Sequence, residues 1–434
     1  MDCPRTWIRD LGEALSGSKF GQDVLWNALS LVPLAGGGLV INLVIARARG
    51  SGALGVFSQV LAIYVVLSQM GVGGLQFSVL KHVSHSQRDR GVCAETTVVA
   101  VLLASIVSGG IACGCYGVAG QLGSLLGSAS VGVGLRVIAP GLVLFSVNKV
   151  LIMALNGLQD MKAYAVFRAL RPVLVCLGLI AAVLAGLPDA QLAVSVSAAE
   201  MVLLVCLVVY INGRLFKIRI PNRFWELARA HMSFGARGVM SGILVELNTR
   251  VDILMLGFFS TDQAVGIYSV PAALAEGFSQ LPLVARWNVD PILGRHFSEG
   301  TVSEIGPLAK RVRRVMVPIM VSAGLLGAMV YPLVLGLVVP EAPVMVSWCI
   351  LVIIFAGVVA NSGFRPFSGI LLQGGRPGAY TLLVGAVASA NVVLNCVLIP
   401  LLGVYGAATA TGGAFLLEAL AIRVCAKRLL GVVL

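Results

Sequence analysis

Residues 245–259, VELNTRVDILMLGFF, place three charged side chains inside an apolar helical segment. Glu246 and Arg250 are four residues apart and share a helical face, so their spacing allows an ion pair. Asp252 lies well round the helix from Arg250 and needs another partner. Because a charged side chain deep in a bilayer normally faces a partner or a water-filled cavity, the stretch predicts a membrane helix with a functional polar face.

The composition of the whole chain extends this interpretation. Of its 434 residues, 58% are hydrophobic and only 12% are charged, and the mean hydropathy is +0.96. A soluble core cannot bury so much apolar surface, so most of that surface must face lipid. The sequence therefore predicts a polytopic membrane protein.

Apolar stretches of about 20 residues, the length that a crossing helix needs, recur along the chain. The apolar runs are continuous and lack the alternation of a membrane β-barrel, so we predict an all-α integral membrane fold. Twelve transmembrane helices are predicted, at residues 23–46, 55–80, 94–117, 131–156, 164–187, 189–212, 236–259, 263–289, 312–337, 343–372, 378–400 and 403–427.

Positive charges lie mainly on one side of this arrangement. With a cytoplasmic N-terminus, the inside segments hold most of the 31 Lys and Arg residues, whereas the outside loops hold only Arg47 and Arg49. Both termini are therefore expected in the cytoplasm. Attraction to anionic lipid headgroups explains the net charge of +12, and no nucleic-acid partner is needed.

The two halves of the chain resemble each other at matching places. Phe20-Gly21 corresponds to Phe234-Gly235, and GVFS at 55–58 corresponds to GIYS at 266–269. We predict two pseudo-symmetric six-helix lobes around a central cleft, related by an axis along the membrane normal. The expected domains are a cytoplasmic leader, which lies on the membrane as an interfacial helix, at 1–22, an N-lobe at 23–212, a basic cytoplasmic connecting loop at 213–235, a C-lobe at 236–427 and a cytoplasmic tail at 428–434.

Several kinds of chemistry are not encoded. The chain has no G-x-x-x-x-G-K-[ST] phosphate loop, so direct use of ATP is not expected. Cys113 and Cys115 lack a second pair or a nearby histidine, so no metal site is expected. No cofactor and no catalytic residue is predicted, and the chain is interpreted as a transporter and not as an enzyme.

Charged residues within the spans carry the functional information. Lys149, Arg250 and Arg365 are predicted to line a cavity and to bind an anionic cargo group, since guanidinium forks match phosphate oxygens. A structural ion pair between Glu246 and Arg250 is the alternative. Four carboxylates are predicted to support the cations or to carry a coupling proton: Glu200, Glu246, Asp252 and Glu276. Three arginines near predicted cytoplasmic ends are expected to reach the headgroups: Arg168, Arg171 and Arg286.

Helix breakers in the first span predict a hinge. Pro33 removes a backbone hydrogen bond, and Gly36, Gly37 and Gly38 remove side-chain resistance to bending. Close packing against a neighbouring helix is the alternative role for these glycines.

Three turns carry a family resemblance. TRVDILMLGFFSTDQAVGIYSVPAALAEGFSQLP, at 249–282, resembles the start of the second half in the polysaccharide flippases of the multidrug, oligosaccharidyl-lipid and polysaccharide exporter superfamily. ARARGSGALGVFSQV, at 46–60, is similar to the turn after their first span, although Gly55-Val56-Phe57 replaces the commoner Tyr-Gly pattern and the usual Leu-Gly is absent. LNCVLIPLLGVYGAATATGGAF, at 394–415, resembles the turn between their last two spans.

The resemblance implies a flippase that moves an undecaprenyl-diphosphate-linked oligosaccharide, an O-antigen or similar repeat unit of lipopolysaccharide, across a bacterial inner membrane by alternating access. A polysaccharide polymerase and glycosyltransferases are expected partners by resemblance only. A cation- or proton-coupled multidrug exporter on the same fold and a lipid-linked peptidoglycan precursor flippase are the alternatives. A non-transporting membrane scaffold is disfavoured by the deep charges and the helix breakers.

Overall fold

A computed structural model describes residues 19–217, 221 and 223–434. Within these residues the chain consists of α-helices with short 3-10 turns and has no strand, which confirms the all-α prediction. Residues 1–18 of the predicted leader lie outside the described residues, and residues 19–22 form the start of the first helix.

The described part of the first half, from residue 19 onward, forms six helices. Several of them begin at a side chain that accepts hydrogen bonds from the free backbone N–H groups of the first turn, as Asp89, Ser128 and Asp160 do. The helices are α1 (Lys19–Val72), α2 (Leu75–His85), α3 (Arg90–Leu125), α4 (Ala129–Gly157), α5 (Met161–Leu184) and α6 (Val194–Arg214).

The second half forms a further set of long helices around one short one. Thr261 caps the second of them by accepting from the backbone N–H of Ala264 at 3.3 Å. The helices are α7 (Phe224–Phe259), α8 (Asp262–Ser298), α9 (Ile305–Val338), α10 (Val344–Asn361), α11 (Ile370–Gln373), α12 (Pro377–Leu402) and α13 (Val404–Leu430).

Nine helical segments among the described residues are long and apolar enough to cross a membrane. The two charged helices α7 and α8 are not among these nine. All twelve predicted spans overlap helices, but the number of crossings stays a prediction.

The chain reverses between the first two spans without a loop. Gly50, with φ 81° and ψ 180°, is the non-helical residue inside α1. A residue with a side chain rarely adopts this left-handed φ, so glycine is needed there. The predicted hinge residues, Pro33 and Gly36–Gly38, lie earlier in α1, and the helix continues through them. A Cβ added to Gly37 would lie 2.6 Å from Pro172 Cβ. The structure thus gives Gly37 a packing role, and the hinge stays a prediction.

Helix ends fall inside three predicted segments. In the tenth predicted span, at 343–372, α10 ends at Asn361, Arg365 lies in a 3-10 turn, and α11 begins at Ile370. α7 begins at Phe224, inside the predicted connecting loop at 213–235, and α13 ends at Leu430, inside the predicted tail at 428–434. Val432 and Leu434 of that tail are buried against the second half, and the division into domains stays a prediction.

Reciprocal glycine contacts join the two halves at the end that the predicted topology places outside, the outer end. A Cβ on Gly55 would overlap the carbonyl oxygen of Asp262, and a Cβ on Gly266 would overlap the carbonyl oxygen of Ser51. Gly55 and Gly266 are equivalent positions of the predicted repeat, so the contact has the symmetry that a duplication requires. The division into two lobes stays a proposal, which this contact supports.

Candidate functional site

A glutamine on α1 connects the two halves between Lys149 and Glu246. Lys149 Nζ donates to Gln69 Oε1 at 2.8 Å, and Gln69 Nε2 donates to Glu246 Oε1 at 3.0 Å. Lys149 belongs to α4 in the first half, whereas Glu246 belongs to α7 in the second. All three side chains are partly buried, so the chain of bonds lies inside the protein at the boundary between the halves.

Arg250, one turn beyond Glu246 on α7, pairs with α8. Its two terminal nitrogens donate to the two carboxylate oxygens of Glu276, each at 3.2 Å. The fork geometry makes this a strong and directional pair. The predicted alternative, an ion pair between Arg250 and Glu246, is replaced by this contact and by the Gln69–Glu246 bond.

Asp252 points into the second half and away from Arg250. It accepts from Asn395 Nδ2 at 2.7 Å and from Thr411 Oγ1 at 2.8 Å, and it is 6% exposed. Tyr268 approaches the same carboxylate at 3.5 Å. Asp252 is therefore hydrogen-bonded by a set of neutral polar groups and not by Arg250, as its position on the helix requires.

The first half contains a triad of a buried asparagine, a buried glutamate and a partly buried arginine. Glu200 on α6 is 1% exposed; it accepts from Asn148 Nδ2 at 2.7 Å and lies 2.8 Å from Arg171 Nε. The guanidinium of Arg171 also stacks on Phe145, with 4.4 Å between Cζ and the ring centroid. Arg171 therefore faces inward, and the expectation that it reaches the headgroups is wrong.

The second half repeats this triad with a different arginine position. Asn361 at the end of α10 donates to Glu418 on α13 at 2.6 Å, and Arg365 donates to the same carboxylate at 3.3 Å. Asn148 lies inside the fourth predicted span and Asn361 in the tenth, which are matching spans of the two halves, and the glutamates lie in the last span of each half. The glutamates differ in burial, with 23% of the side chain exposed at Glu418 and 1% at Glu200, whereas the two arginines are similarly exposed.

The outer end of the boundary carries a second bridge between the halves. Asp262, the first residue of α8, accepts from Gln59 Nε2 at 2.6 Å and from Ser128 Oγ at 2.7 Å. A cavity of about 180 Å³ lies beside it and is lined by Gly50 and Gly266, among others. None of the predicted cargo-binding cations lines this cavity.

A buried histidine joins the halves at the opposite end. His231 on α7 is fully buried, lies 2.8 Å from Ser78 Oγ through Nδ1, and contacts the carbonyl oxygen of Thr96 at 3.1 Å through Nε2. Burial lowers the pKa of His231 to about 4. A Cβ on Gly74 would lie 2.5 Å from the carbonyl oxygen of Gly235, so the two backbones touch at this end as well.

Residues 20–282 match the profile of a family described as polysaccharide biosynthesis protein. The chain belongs to this family. Membership confirms the resemblance found in the sequence, and the match covers the first half together with α7 and most of the membrane part of α8.

Solved structures show that this family member has the fold of the multidrug, oligosaccharidyl-lipid and polysaccharide exporter superfamily. The lipid II flippase MurJ in an inward closed conformation has a TM-score of 0.71 at 14% identity, with 94% of this chain and 87% of that chain covered. An inward-facing multidrug resistance MATE transporter of the same superfamily has a TM-score of 0.72 at 14% identity, with 90% and 92% covered.

A third similar structure is a superfamily transporter from Pyrococcus furiosus, described as having a binding pocket of reverse polarity that suggests a different function. Its TM-score is 0.59 at 13% identity, with 93% of this chain and 95% of that chain covered. No curated protein matches the chain. The comparisons together support a multi-pass membrane flippase or transporter.

The three predicted cargo-binding cations of the family member fall into three separate networks. Lys149 lies at the boundary between the halves, Arg250 is held by Glu276, and Arg365 is held by Glu418 within the second half. Sequence reasoning missed Gln69, although an amide in the middle of an apolar span was a visible signal. It also missed the inward role of Arg171, for which the sequence near the span end carries no signal.

Proposed function

We propose that the protein is a flippase that carries an undecaprenyl-diphosphate-linked oligosaccharide repeat unit from the cytoplasmic to the outer leaflet of a bacterial inner membrane. Its product supplies O-antigen-like polysaccharide synthesis. Membership of the polysaccharide biosynthesis family supports the class of cargo, and the shared fold supports alternating access. The polysaccharide polymerase and glycosyltransferases that use this lipid-linked cargo are the partners we propose.

The surroundings of Lys149 carry this proposal. Arg171, Arg250 and Arg365 each face a carboxylate, whereas the ammonium of Lys149 donates to the neutral amide of Gln69. An amide oxygen is a weaker partner for an ammonium than an anion, because hydrogen bonds between two charged groups are stronger. Lys149 is thus the cation that a phosphate displaces most easily from its present partner.

The chemistry of the cargo requires such a group. A diphosphate cannot enter hydrocarbon without a compensating charge, and sugars cannot lose their hydration there. A polar boundary between two lobes meets both needs while the polyprenyl tail remains in lipid. A negative interior potential would favour outward movement of an uncompensated anion by ~2.3 kcal/mol per charge per 100 mV.

The remaining residues have supporting roles in this proposal. Arg250 contacts the diphosphate or an acidic sugar when Glu276 releases it, and Arg365 has the same role on the cytoplasmic side. Asp252 is the candidate for a coupling proton, since its present partners are all neutral. Glu246 holds the amide of Gln69, which faces Lys149, and Glu200 holds Arg171. Both termini remain in the cytoplasm.

The likeness to MurJ favours a peptidoglycan precursor flippase as a second candidate, since a lipid-linked anionic cargo needs the same cation. A multidrug exporter is less well supported. A cationic drug needs an available deep carboxylate in the first half, and Glu200 is buried against Arg171 and Asn148. Rescue of cells that lack their peptidoglycan precursor flippase tests the second candidate, and a drug-resistance assay tests the exporter.

The deciding experiment is restoration of surface glycan in a bacterium that lacks its own repeat-unit flippase. We expect the wild type to restore it, Lys149→Met to lose at least about 10-fold of the activity, and Lys149→Arg to keep part of it. Lys162→Met is the matched control, because Lys162 is exposed and stacks on Trp26 away from the boundary. Full activity of Lys149→Met at equal protein level would refute the proposed role of the cation.

Arg250→Ala tests the second cation in the same assay. Loss of surface glycan at equal protein level would support its contact with the cargo. Intact translocation would make the Arg250–Glu276 pair structural. Failure of the wild type across several cargo backgrounds would refute the proposed function itself.

A further inference from the structure

Gln69 has a neutral side chain that fits between an ammonium and a carboxylate with both partners satisfied. Lysine only donates and an ionised carboxylate only accepts, whereas an amide has an accepting end and a donating end. Lys149 therefore fixes the amide oxygen on its side, and Glu246 fixes the amide nitrogen on the other side. The orientation of the Gln69 amide depends on both halves of the protein at once.

A second glutamine of the same helix gives a natural comparison. Gln59 Nε2 also donates to a carboxylate of the second half, Asp262, at 2.6 Å. Its Oε1 is buried and has no hydrogen-bond partner among the described residues. Both glutamines bridge the halves through a carboxylate, but Lys149 engages only Gln69.

We propose that Gln69 is a positioning residue that couples occupation of Lys149 by an anion to release of the second half at Glu246. This inference rests on the proposed function, because it takes the cargo diphosphate as the anion. Gln69 itself does not need to contact the cargo.

The coupling follows from hydrogen-bond chemistry. When a phosphate oxygen takes the ammonium of Lys149, the amide oxygen of Gln69 loses its charged donor. The amide then has two options: it stays with an unpaired oxygen, or it rotates its NH2 group toward the phosphate. Rotation turns the amide oxygen toward Glu246, where two acceptors repel each other. In addition, the new negative charge repels the Glu246 carboxylate directly. Rotation of the amide and repulsion by the new charge each weaken the bond that joins α1 to α7.

The test measures the distance between the halves with and without a diphosphate. Spin labels at Ser84→Cys on α2 and Arg229→Cys on α7, both exposed positions, report this distance by pulsed electron paramagnetic resonance. The full chain, with its native cysteines replaced, is reconstituted in lipid nanodiscs. Geranyl diphosphate is the probe, and its affinity is measured separately by calorimetry.

In the wild type we expect geranyl diphosphate to lengthen the distance between the labels. Gln69→Leu should bind the probe as well as the wild type or better, because no amide competes for Lys149, but the probe should no longer change the distance. Gln69→Glu should give the longer distance without any probe, because its carboxylate pairs with Lys149 and repels Glu246. Gln59→Leu, the matched control, should keep the probe-dependent change, because it leaves Lys149 and Gln69 untouched.

Two results overturn the inference, and they are distinguishable. If the wild type binds the probe and Gln69→Leu shows the same change of distance, the coupling is wrong while the anion site and the proposed function stand. If neither geranyl diphosphate nor inorganic pyrophosphate binds the wild type, or if Lys149→Met binds them equally well, the anion site fails and the proposed function loses its main support.

Discussion

The two triads predict different costs for the same substitution. Glu200→Gln preserves the size of the side chain but leaves the Arg171 guanidinium without its counter-charge. Glu200 is 1% exposed and Arg171 is 25% exposed, so the cost should lie between that of an exposed pair, at most about 1 kcal/mol, and that of a fully buried pair, about 3–5 kcal/mol. Glu418→Gln does the same to Arg365, but both side chains of that pair are more than 20% exposed, so its cost should be about 1 kcal/mol or less.

The assay is denaturant-induced unfolding of purified protein in detergent micelles, compared at one pH and one salt concentration. The double variant Arg171→Met with Glu200→Gln removes both charges, so the guanidinium is no longer stranded. We expect the double variant to be more stable than Glu200→Gln alone, which is a coupling that distant sites do not show. The matching double variant at Arg365 and Glu418 should show little coupling.

Equal losses of stability in the two single variants would refute this reasoning, since burial would then not set the cost. Additive effects in the double variant at Arg171 and Glu200 would also refute it. Loss of translocation without loss of stability in Glu200→Gln would instead assign the carboxylate to the transport cycle.

Three further perturbations test other parts of the structure. Burial lowers the pKa of His231 to about 4, below its ordinary value of about 6.5, so the folded protein should lose about 2 kcal/mol of its free energy of unfolding between pH 7 and pH 5. His231→Gln should flatten this pH dependence of stability; a melting temperature that depends on pH in the same way in the variant and the wild type would contradict it. Gly266→Ala would place a Cβ on the carbonyl oxygen of Ser51, so a spin label on each half at the outer end should report a longer distance in the variant than in the wild type. An unchanged distance between the labels would show that the glycine contact does not hold the two halves together at that end. Glu276→Gln frees Arg250 from its carboxylate, so geranyl diphosphate should bind up to about 10-fold more tightly by calorimetry; unchanged affinity would place Arg250 outside the anion site.

The fold class and the positions of most helices were accessible from the sequence. Hydropathy adds up over neighbouring residues, and a run of apolar residues of bilayer length leaves few alternatives to a helix. The exceptions have local causes. At Gly50 the chain breaks at a single residue, so no loop marks the reversal, and beyond Asn361 apolar composition continues after the helical hydrogen bonds have ended.

The candidate site was predictable only as a set of residue types at certain depths. The sequence identified Lys149, Arg250 and Arg365 as deep cations and Asp252 as a residue that needs its own partner. Helical spacing reports which side chains share a face of one helix, and it made an ion pair between Arg250 and Glu246 plausible.

Only the tertiary structure decided the partners. Arg250 faces Glu276 because α8 packs beside α7, and Glu246 faces Gln69 because α1 approaches α7 from the other half. Pair distances depend on which helices are neighbours and on their rotation, and hydropathy constrains neither. The sequence by itself therefore determined a polytopic α-helical membrane protein with buried charges, and the packing of its halves decided that Lys149 donates to a neutral amide instead of a carboxylate.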